Sequence, residues 1–166
     1  MIKVYEFSIS PNEEQKTQIE KAIKYSRFVY NSLVKIRYDS WINDRKNLNF
    51  EQEREILKKL IKKNGWLRNV EKISLEQAIR DLDGDYYKFF KMNGKYPKFR
   101  SPKDEVSKYR TKNVNNSIKF YKGYVALPGL DLVKLDTQDK IRGVPNIARI
   151  EKKNNKYKLY ISVETH

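Results

Sequence analysis

The alternation of apolar and polar residues changes its period twice along the chain. Residues 2–9 place alternate residues on opposite faces, as a short β-strand does. From Ile19 to Ile36 apolar residues return every three or four positions, the spacing of an amphipathic helix. Beyond residue 117 the period of two returns. The pattern therefore predicts one strand, then helices, then several strands.

Local signals predict where the first helix begins and ends. Ser10 is a candidate N-cap, with Pro11 at the first helical position and Glu13 three residues after the cap. A hydroxyl cap followed by a glutamate at this spacing is a capping box, and proline is favoured at the first helical position. The helix is expected to run to about Asp39.

Two further capping boxes predict the second and third helices. Asn49 with Gln52 opens a helix from Phe50 to about Lys63, and residues 64–65 (Asn-Gly) stop it. Ser74 with Gln77 opens another helix, which ends before residues 93–94 (Asn-Gly). The periodic apolar faces predict five core residues: Tyr30, Trp66, Leu82, Phe89 and Phe90. Three aspartates in the third helix are expected to mark a solvated helix end interrupted by Gly84: Asp81, Asp83 and Asp85.

The C-terminal part has the signals of paired strands. Lys122-Gly123 separates two alternating segments, and residues 153–156 separate two more, which predicts two hairpins. The predicted fold class is α+β. Residues 1–9 and 95–166 are expected to form a small antiparallel β-barrel, with a helical domain of residues 10–94 inserted after the first strand.

The charge of the chain limits its partners. The 166 residues carry a formal net charge of +15, with a pI near 9.8. An excess of positive charge favours a polyanionic binding partner. Nucleic acid is favoured over a membrane as that partner, because the sequence has no lipidation motif or basic amphipathic anchor. Cysteine is absent, which excludes disulfides, thiol nucleophiles and cysteine-bound zinc. We expect a soluble, cytoplasmic protein.

The positive charge is concentrated between residues 95 and 122. This segment has nine lysines or arginines against two acidic residues, and aromatic residues alternate with the cations. Cations for phosphates and rings for stacking are the components of a nucleic-acid surface. The alternative is a solvated basic loop whose aromatic side chains pack into the core.

A series of short motifs, in this order along the chain, resembles the N-terminal half of the TnpB (OrfB) family of insertion-sequence transposon proteins. The compact type V CRISPR effectors are relatives of that family. The motifs are Ile9-Ser10-Pro11-Asn12, Arg27-Phe28-Val29-Tyr30-Asn31, Trp66-Leu67, residues 74–82, Phe89-Phe90, Tyr96-Pro97-Lys98-Phe99-Arg100-Ser101, Tyr109-Arg110-Thr111 and Leu127-Pro128-Gly129-Leu130.

The resemblance implies an architecture and an activity. In the family the barrel is a wedge domain and the inserted helices are a recognition domain. Members bind a transposon-encoded guide RNA, recognise a short DNA motif beside the transposon, and cut with a RuvC-like nuclease, which we expect beyond residue 166. The carboxylate cluster that such a two-metal site needs is not apparent here. We therefore predict that the chain is not an enzyme by itself and binds no metal or cofactor; its only histidine is His166.

The resemblance also implies which residues read the DNA motif: Phe50, Lys72, Ile73, Glu76, Gln77, Val114, Asn115 and Asn116. Asn and Gln can bond adenine edges, whereas a carboxylate accepts from cytosine or repels phosphate. Glu76 departs from the family, where glutamine is frequent, and Gln77 has the alternative role of capping the third helix. Contacts to nucleic-acid backbone are assigned to Arg27, Lys98, Arg100, Lys103, Lys108, Arg110, Thr111 and Lys112.

The sequence is compatible with two functions. The first is a non-catalytic nucleic-acid-binding part with duplex DNA and guide RNA as partners. The second is a truncated remnant or protein-interaction module, which uses the surface that normally meets the nuclease domain to bind that domain or a separate protein.

Overall fold

The structure, a computed structural model, describes residues 1–137 and 139–164. The helices are α1 (Glu13–Asp44), α2 (Phe50–Lys63) and α3 (Lys72–Lys91), with a short 3₁₀ helix (Gly65–Asn69) between the last two. The strands are β1 (Ile2–Ser10), β2 (Ser107–Lys112), β3 (Lys119–Tyr121), β4 (Tyr124–Leu127), β5 (Asp131–Leu135), β6 (Val144–Lys153) and β7 (Lys156–Glu164).

The chain divides into two compact units. One, called here the sheet unit, comprises Met1–Ile23 and Glu105–His166; the other, the helical unit, comprises Lys24–Asp104. The division falls inside α1, so this helix contributes residues to both units.

All seven strands lie in one antiparallel sheet, in the order β2-β6-β7-β1-β5-β4-β3. The predicted α+β class and the position of the helices after the first strand are confirmed. The predicted barrel needs correction, because closure requires the two end strands to pair. Among the described residues β2 pairs only with β6 and β3 only with β4, so the sheet is open.

One face of the sheet forms the core of its unit. Tyr109, Ile150, Leu159 and Phe7 stand opposite one another on β2, β6, β7 and β1, and all four side chains are buried. Because side chains alternate along a strand, residues at odd positions of β1 and β7 face inward and those at even positions face solvent. The period of two read from the sequence therefore locates the core face correctly.

The predicted cap of α1 at Ser10 is wrong, since the helix begins two residues later. Asn12 Oδ1 accepts from the Gln15 N–H (2.8 Å), and Gln15 Oε1 accepts from the Asn12 N–H (2.9 Å). Gln15 Nε2 also donates to the carbonyls of Leu130 and Leu132. Ser10 instead ends β1, and its hydroxyl donates to the Asp136 carboxylate (2.7 Å). The helix also continues past Asp39, to Asp44.

The other two helices differ in how well their starts were predicted. α2 has the expected bounds and the complete capping box of Asn49 and Gln52. α3 begins earlier than expected, with Glu71 at the N-cap position, so Ser74 and Gln77 are buried within the helix and do not cap it. The Ser74 hydroxyl bonds to the Glu71 carboxylate. The predicted end before residue 93 is confirmed.

The core prediction for the helical unit is confirmed in part. Tyr30 and Leu82 are buried, and Phe89 is half-buried. Trp66 is 40% exposed and Phe90 is 64% exposed, so neither is a core residue. Trp66 lies in the 3₁₀ helix and meets the rings of two α1 residues edge-on at 4.9 Å, which leaves part of its own ring in solvent.

Candidate nucleic-acid interface

Edge strand β2 presents cations on the outer face of the sheet. Lys108, Arg110 and Lys112 alternate along the strand with the buried residues Tyr109 and Thr111. Lys108 and Lys112 are exposed, and Arg110 stands opposite Arg149 of β6. Thr111, which was predicted to contact nucleic-acid backbone, is fully buried on the opposite face of the strand.

A tight turn follows directly after this strand. The Ser117 N–H donates to the Val114 carbonyl (3.1 Å), and the two central residues, Asn115 and Asn116, have φ of 55° and 58°. Positive φ at both central positions defines a type I′ turn, for which asparagine is favoured. Val114, Asn115 and Asn116 are exposed. Three of the eight residues predicted to read the DNA motif thus lie together at the tip of one turn.

Asn113 holds the base of this turn. Its Nδ2 donates to the Pro145 carbonyl (2.8 Å), and its Oδ1 accepts from the Ile118 N–H (3.0 Å). Its own N–H donates to the Asn146 carbonyl (2.8 Å). Sequence reasoning missed Asn113, since three asparagines within four residues look equivalent until their partners are known.

A second group of residues predicted to read the DNA motif comes together in the helical unit. Glu76 lies 3.8 Å from Arg54 and 4.0 Å from Lys72. The guanidinium groups of Arg80 and Arg54 lie 3.4 Å and 5.9 Å from the centre of the Phe50 ring. Glu76 is therefore neutralised by neighbouring cations. Arg54 and Arg80 are cations of this group that the sequence did not single out.

The remaining readers on α3 are less accessible. Gln77 is 8% exposed and lies on the buried side of the helix, so its amide is not presented beside Lys72. Ile73 is half-buried. The accessible part of this group consists of Lys72 and the two arginines over Phe50.

Arg100, predicted to contact nucleic-acid backbone, is engaged within the helical unit. Its guanidinium lies 3.8 Å from the centre of the Tyr30 ring, 3.7 Å from the Asp81 carboxylate and 3.9 Å from that of Asp85. The Tyr30 hydroxyl donates to Asp85 (2.6 Å), and burial together with this bond raises the pKa of Tyr30. Asn31 Oδ1 accepts a hydrogen bond from the Arg100 backbone N–H (2.8 Å), and Asn31 Nδ2 donates to the Arg100 carbonyl (3.0 Å).

Replacing Arg100 tests this structural role. We expect Arg100→Ala to lower the free energy of unfolding by about 1–3 kcal/mol, because Asp81 and Asp85 lose their shared cation in a partly buried site. Lys98→Ala, an exposed neighbour, is the matched control and should change stability by less than about 0.5 kcal/mol. Urea denaturation measures both. Equal stabilities would instead place Arg100 on the free surface.

The aspartates of α3 do not form a solvated helix end, and that prediction is wrong. Gly84 does not interrupt α3. Arg37 donates to Asp83 (2.8 Å) and lies 3.9 Å from the centre of the Tyr86 ring. Glu53 is fully buried, 3.6 Å from the same guanidinium. Burial and the adjacent Asp83 raise the pKa of Glu53 to about 8.

This shift predicts a pH dependence of stability. The unfolded chain loses the Glu53 proton near its ordinary pKa of 4.5, whereas the folded chain keeps it to about pH 8. The contribution of Glu53 to the free energy of unfolding is therefore complete below about pH 4.5 and is lost as the pH rises to about 8. We expect Glu53→Gln to remove the loss, on the order of a few kcal/mol between pH 5 and pH 9. Urea midpoints across this range measure it; parallel curves for both proteins would contradict the assignment.

No metal site is apparent in the part of the chain that the structure describes. Residues 1–137 and 139–164 contain no group of three or more acidic or histidine side chains placed to hold a metal ion. Glu53, Asp83 and Asp85 face arginines, so they do not fit a two-metal nuclease centre. His166 lies outside the described residues.

Other predicted backbone contacts lie at the surface. Lys98 and Lys103 are exposed in the segment between α3 and β2, and Arg27 is half-exposed on α1. The segment is folded by local bonds: the Ser101 N–H donates to Asp104 (3.0 Å), and the Lys103 N–H to the Ser101 hydroxyl (3.1 Å).

Residues 1–46 match the family model of the helix-turn-helix domain of OrfB proteins from IS605-type insertion sequences. The predicted likeness to the N-terminal half of the TnpB/OrfB family is confirmed. A protein of Streptomyces pristinaespiralis, provisionally named an RNA-guided DNA endonuclease, is 25% identical over 103 residues. The match covers 61% of this chain and 26% of that relative, so the chain spans about a quarter of its length.

Residues 1–46, which match the helix-turn-helix model, contain one strand and one helix, both complete. β1 is followed by α1, which runs without a break from Glu13 to Asp44. Within residues 1–46 the structure therefore has one continuous helix and not two helices joined by a turn, despite the name of the domain. At 32 residues α1 is long, yet neither it nor any other described helix is apolar enough to cross a membrane.

Proposed function

We propose that this chain is the nucleic-acid-binding N-terminal part of a TnpB-like, transposon-associated RNA-guided DNA endonuclease. In this role it recognises a short DNA motif next to the transposon, contributes to binding of a guide RNA, and does not itself cut DNA. The match to the OrfB domain and the likeness to the Streptomyces protein support the proposal, and so does the net charge of +15.

The observation that carries the proposal is the continuity of β2 with the asparagine turn. Lys108 and Lys112 project from one face of the strand, and the exposed turn with Asn115 and Asn116 follows within four residues of Lys112. Phosphate contacts position a protein on DNA, and base contacts specify the sequence. Ammonium groups suit the first task and asparagine side chains, which can bond adenine bidentately, suit the second.

The cluster on α2 and α3 supplies a second candidate contact with DNA. Arg80 covers the Phe50 ring, and Glu76 neutralises Arg54 and Lys72 in part. Arginine can bond guanine edges or phosphate through two parallel N–H groups, and a neighbouring carboxylate can hold it in one orientation. In this proposal Glu51 (3.5 Å) and Glu76 (3.8 Å) position Arg54, and a cytosine contact by the Glu76 carboxylate is not required.

Selection from random sequences tests the proposal. The purified chain is incubated with a random duplex pool and with total cellular RNA at low and near-physiological salt, and the retained molecules are sequenced. We expect one short duplex motif to be enriched at both salt concentrations. Binding without any enriched motif, lost at physiological salt, would overturn the recognition role and leave a non-specific polycation.

The absence of cutting is tested separately. With Mg²⁺ and a duplex that contains the enriched motif, the chain is expected to leave both strands intact. Cleavage that persists in an independent preparation, purified in a different way, would contradict the non-catalytic assignment.

A further inference from the structure

The helical unit contains a pocket with aromatic walls. It has a volume of about 230 Å³ and is lined by five aromatic residues and one arginine: Trp41, Tyr86, Phe89, Phe90, Tyr96 and Arg37. We propose that this pocket binds one unstacked base of a single-stranded nucleic acid. The inference rests on the proposed function in that it takes nucleic acid as the partner.

The size and the walls of the pocket suit a single planar ring system. Pockets for drug-sized ligands usually have about 300–1,000 Å³, so this one is smaller. Tyr96 stands nearly perpendicular to Tyr86 (89°) and to Phe89 (87°), with ring centres 5.5 Å and 5.1 Å apart. Flat faces set at right angles can stack against a ring and pack against its edge at the same time.

Three of these rings are only partly covered by the protein. Trp41 is 44% exposed, Tyr96 44% and Phe90 64%. Clustered exposed aromatic residues usually mark a binding site. Stacking on aromatic faces is the usual way in which proteins hold bases of single strands, and it tolerates any base because every base has a π-face.

The charges close to the lining residues in sequence favour a phosphate-bearing ligand over a protein side chain. Residues 45–48 and 87–98, which adjoin lining residues in sequence, contain no aspartate or glutamate, and Asp44 and Asp85 precede these two segments. They carry six cations: Arg45, Lys46, Lys88, Lys91, Lys95 and Lys98. The Arg45 guanidinium also lies 5.6 Å from the centre of the Trp41 ring. A base in the pocket would leave its phosphates outside, where cations such as Arg45 favour them.

The pocket also has a polar end that can meet the edge of a base. Arg37 is held there by Asp83 (2.8 Å), by Glu53 (3.6 Å) and by its stacking over Tyr86 (3.9 Å). Its side chain is 13% exposed and contributes to the lining of the pocket. Asn47, whose side chain is an amide, lines the same space. A guanidinium fixed in this way can donate to a base carbonyl or ring nitrogen.

Tryptophan fluorescence gives a direct test. The chain has two tryptophans, so Trp66→Phe leaves Trp41 as the only reporter, in the pocket. The probes are a mixed-sequence single strand of about ten nucleotides and a strand of equal length with abasic sites throughout. We expect the first to quench Trp41 and to bind at least about fivefold more tightly than the second.

A matched pair of variants locates the effect. Phe90 and Tyr87 lie on α3 and are similarly exposed (64% and 61%), but only Phe90 lines the pocket. In the Trp66→Phe chain, Phe90→Ala should weaken binding of the normal strand at least about fivefold and leave binding of the abasic strand unchanged. Tyr87→Ala should change neither.

The possible failures are distinguishable. Equal binding of both strands, or equal effects of Phe90→Ala and Tyr87→Ala, would overturn the pocket and leave the proposed function standing. If neither strand nor duplex DNA binds even at low salt, the proposed function fails as well. Quenching of Trp41 by an aromatic peptide but not by the normal strand would assign the pocket to a protein partner and overturn the inference.

Discussion

Raising the salt concentration from 50 to 200 mM is expected to weaken binding of this chain to duplex DNA by about 10³-fold. The prediction follows from the number of cations available to phosphates. Arg27, Lys72, Lys98, Lys103, Lys108 and Lys112 are at least partly exposed. Neutralising about six phosphates gives a slope near −5 for log affinity against log salt concentration, because each contact releases condensed counterions.

Single lysine variants test the same account. Lys108→Ala and Lys112→Ala should each reduce the slope by about 1 and weaken binding similarly for all sequences. Lys58→Ala is the control, since Lys58 is exposed on α2 and pairs with Glu55 (3.0 Å). Fluorescence anisotropy at several salt concentrations gives the slopes. A flat salt dependence, or equal slopes for all three variants and the parent chain, would contradict a phosphate-binding role for β2.

Replacing both turn asparagines by glycine is expected to abolish most discrimination between the selected motif and other duplexes. Each bidentate base contact contributes about 1–3 kcal/mol of discrimination, which is about 5- to 160-fold. The double variant should therefore lose at least about fivefold in specific affinity if one asparagine reads a base, and at least about 30-fold if both do. Glycine is the informative replacement because Asn115 and Asn116 have positive φ, which glycine adopts without strain. The turn therefore keeps its shape and loses only the amide side chains.

Two controls separate the loss of base contacts from a loss of folding stability. Asn115→Ala keeps a Cβ at φ 55° and should cost about 1 kcal/mol of stability in addition to affinity. The glycine variants should retain the stability of the parent chain in urea and its weak affinity for random duplex. Retained discrimination by the double glycine variant would remove Asn115 and Asn116 from the set of base-reading residues.

The start of α1 shows why local signals do not decide between neighbouring caps. Ser10 with Glu13 and Asn12 with Gln15 are both capping boxes by sequence. In the structure Ile9 and Ser10 still pair with β5, opposite Leu135 and Lys134, and the Ser10 hydroxyl is bonded to Asp136. Pairing with residues more than 120 positions away extends the strand, so the helix begins at the later signal. α2, whose Asn49 cap has no such competitor, was predicted correctly.

The charged residues show a similar limit. Positions i and i+2 on a helix point in different directions, so Asp83 and Asp85 meet different partners, Arg37 and the Tyr30–Arg100 pair. Those partners come from α1 and from the segment after α3. A pattern of like charges in the sequence cannot show which of them are paired, so Arg100 was grouped with the free lysines around it.

Two of the aromatic core predictions, Trp66 and Phe90, are wrong for a related reason. Apolar residues at helical spacing identify one face of a helix, but they do not show whether another element covers it. Phe90 follows the period of α3 and is 64% exposed at the end of that helix. The pocket formed with Trp41 and Tyr96 depends on residues far apart in sequence, and only the structure brings them together.

The most direct test of the account is the ratio of two affinities measured at physiological salt. The first is for the motif selected from the random pool, and the second is for a scrambled duplex of equal length and composition. If the chain is the motif-recognising part of a TnpB-like protein, the selected motif should bind at least about tenfold more tightly, and the double glycine variant should lose most of that difference. A ratio near one for the parent chain would contradict the account.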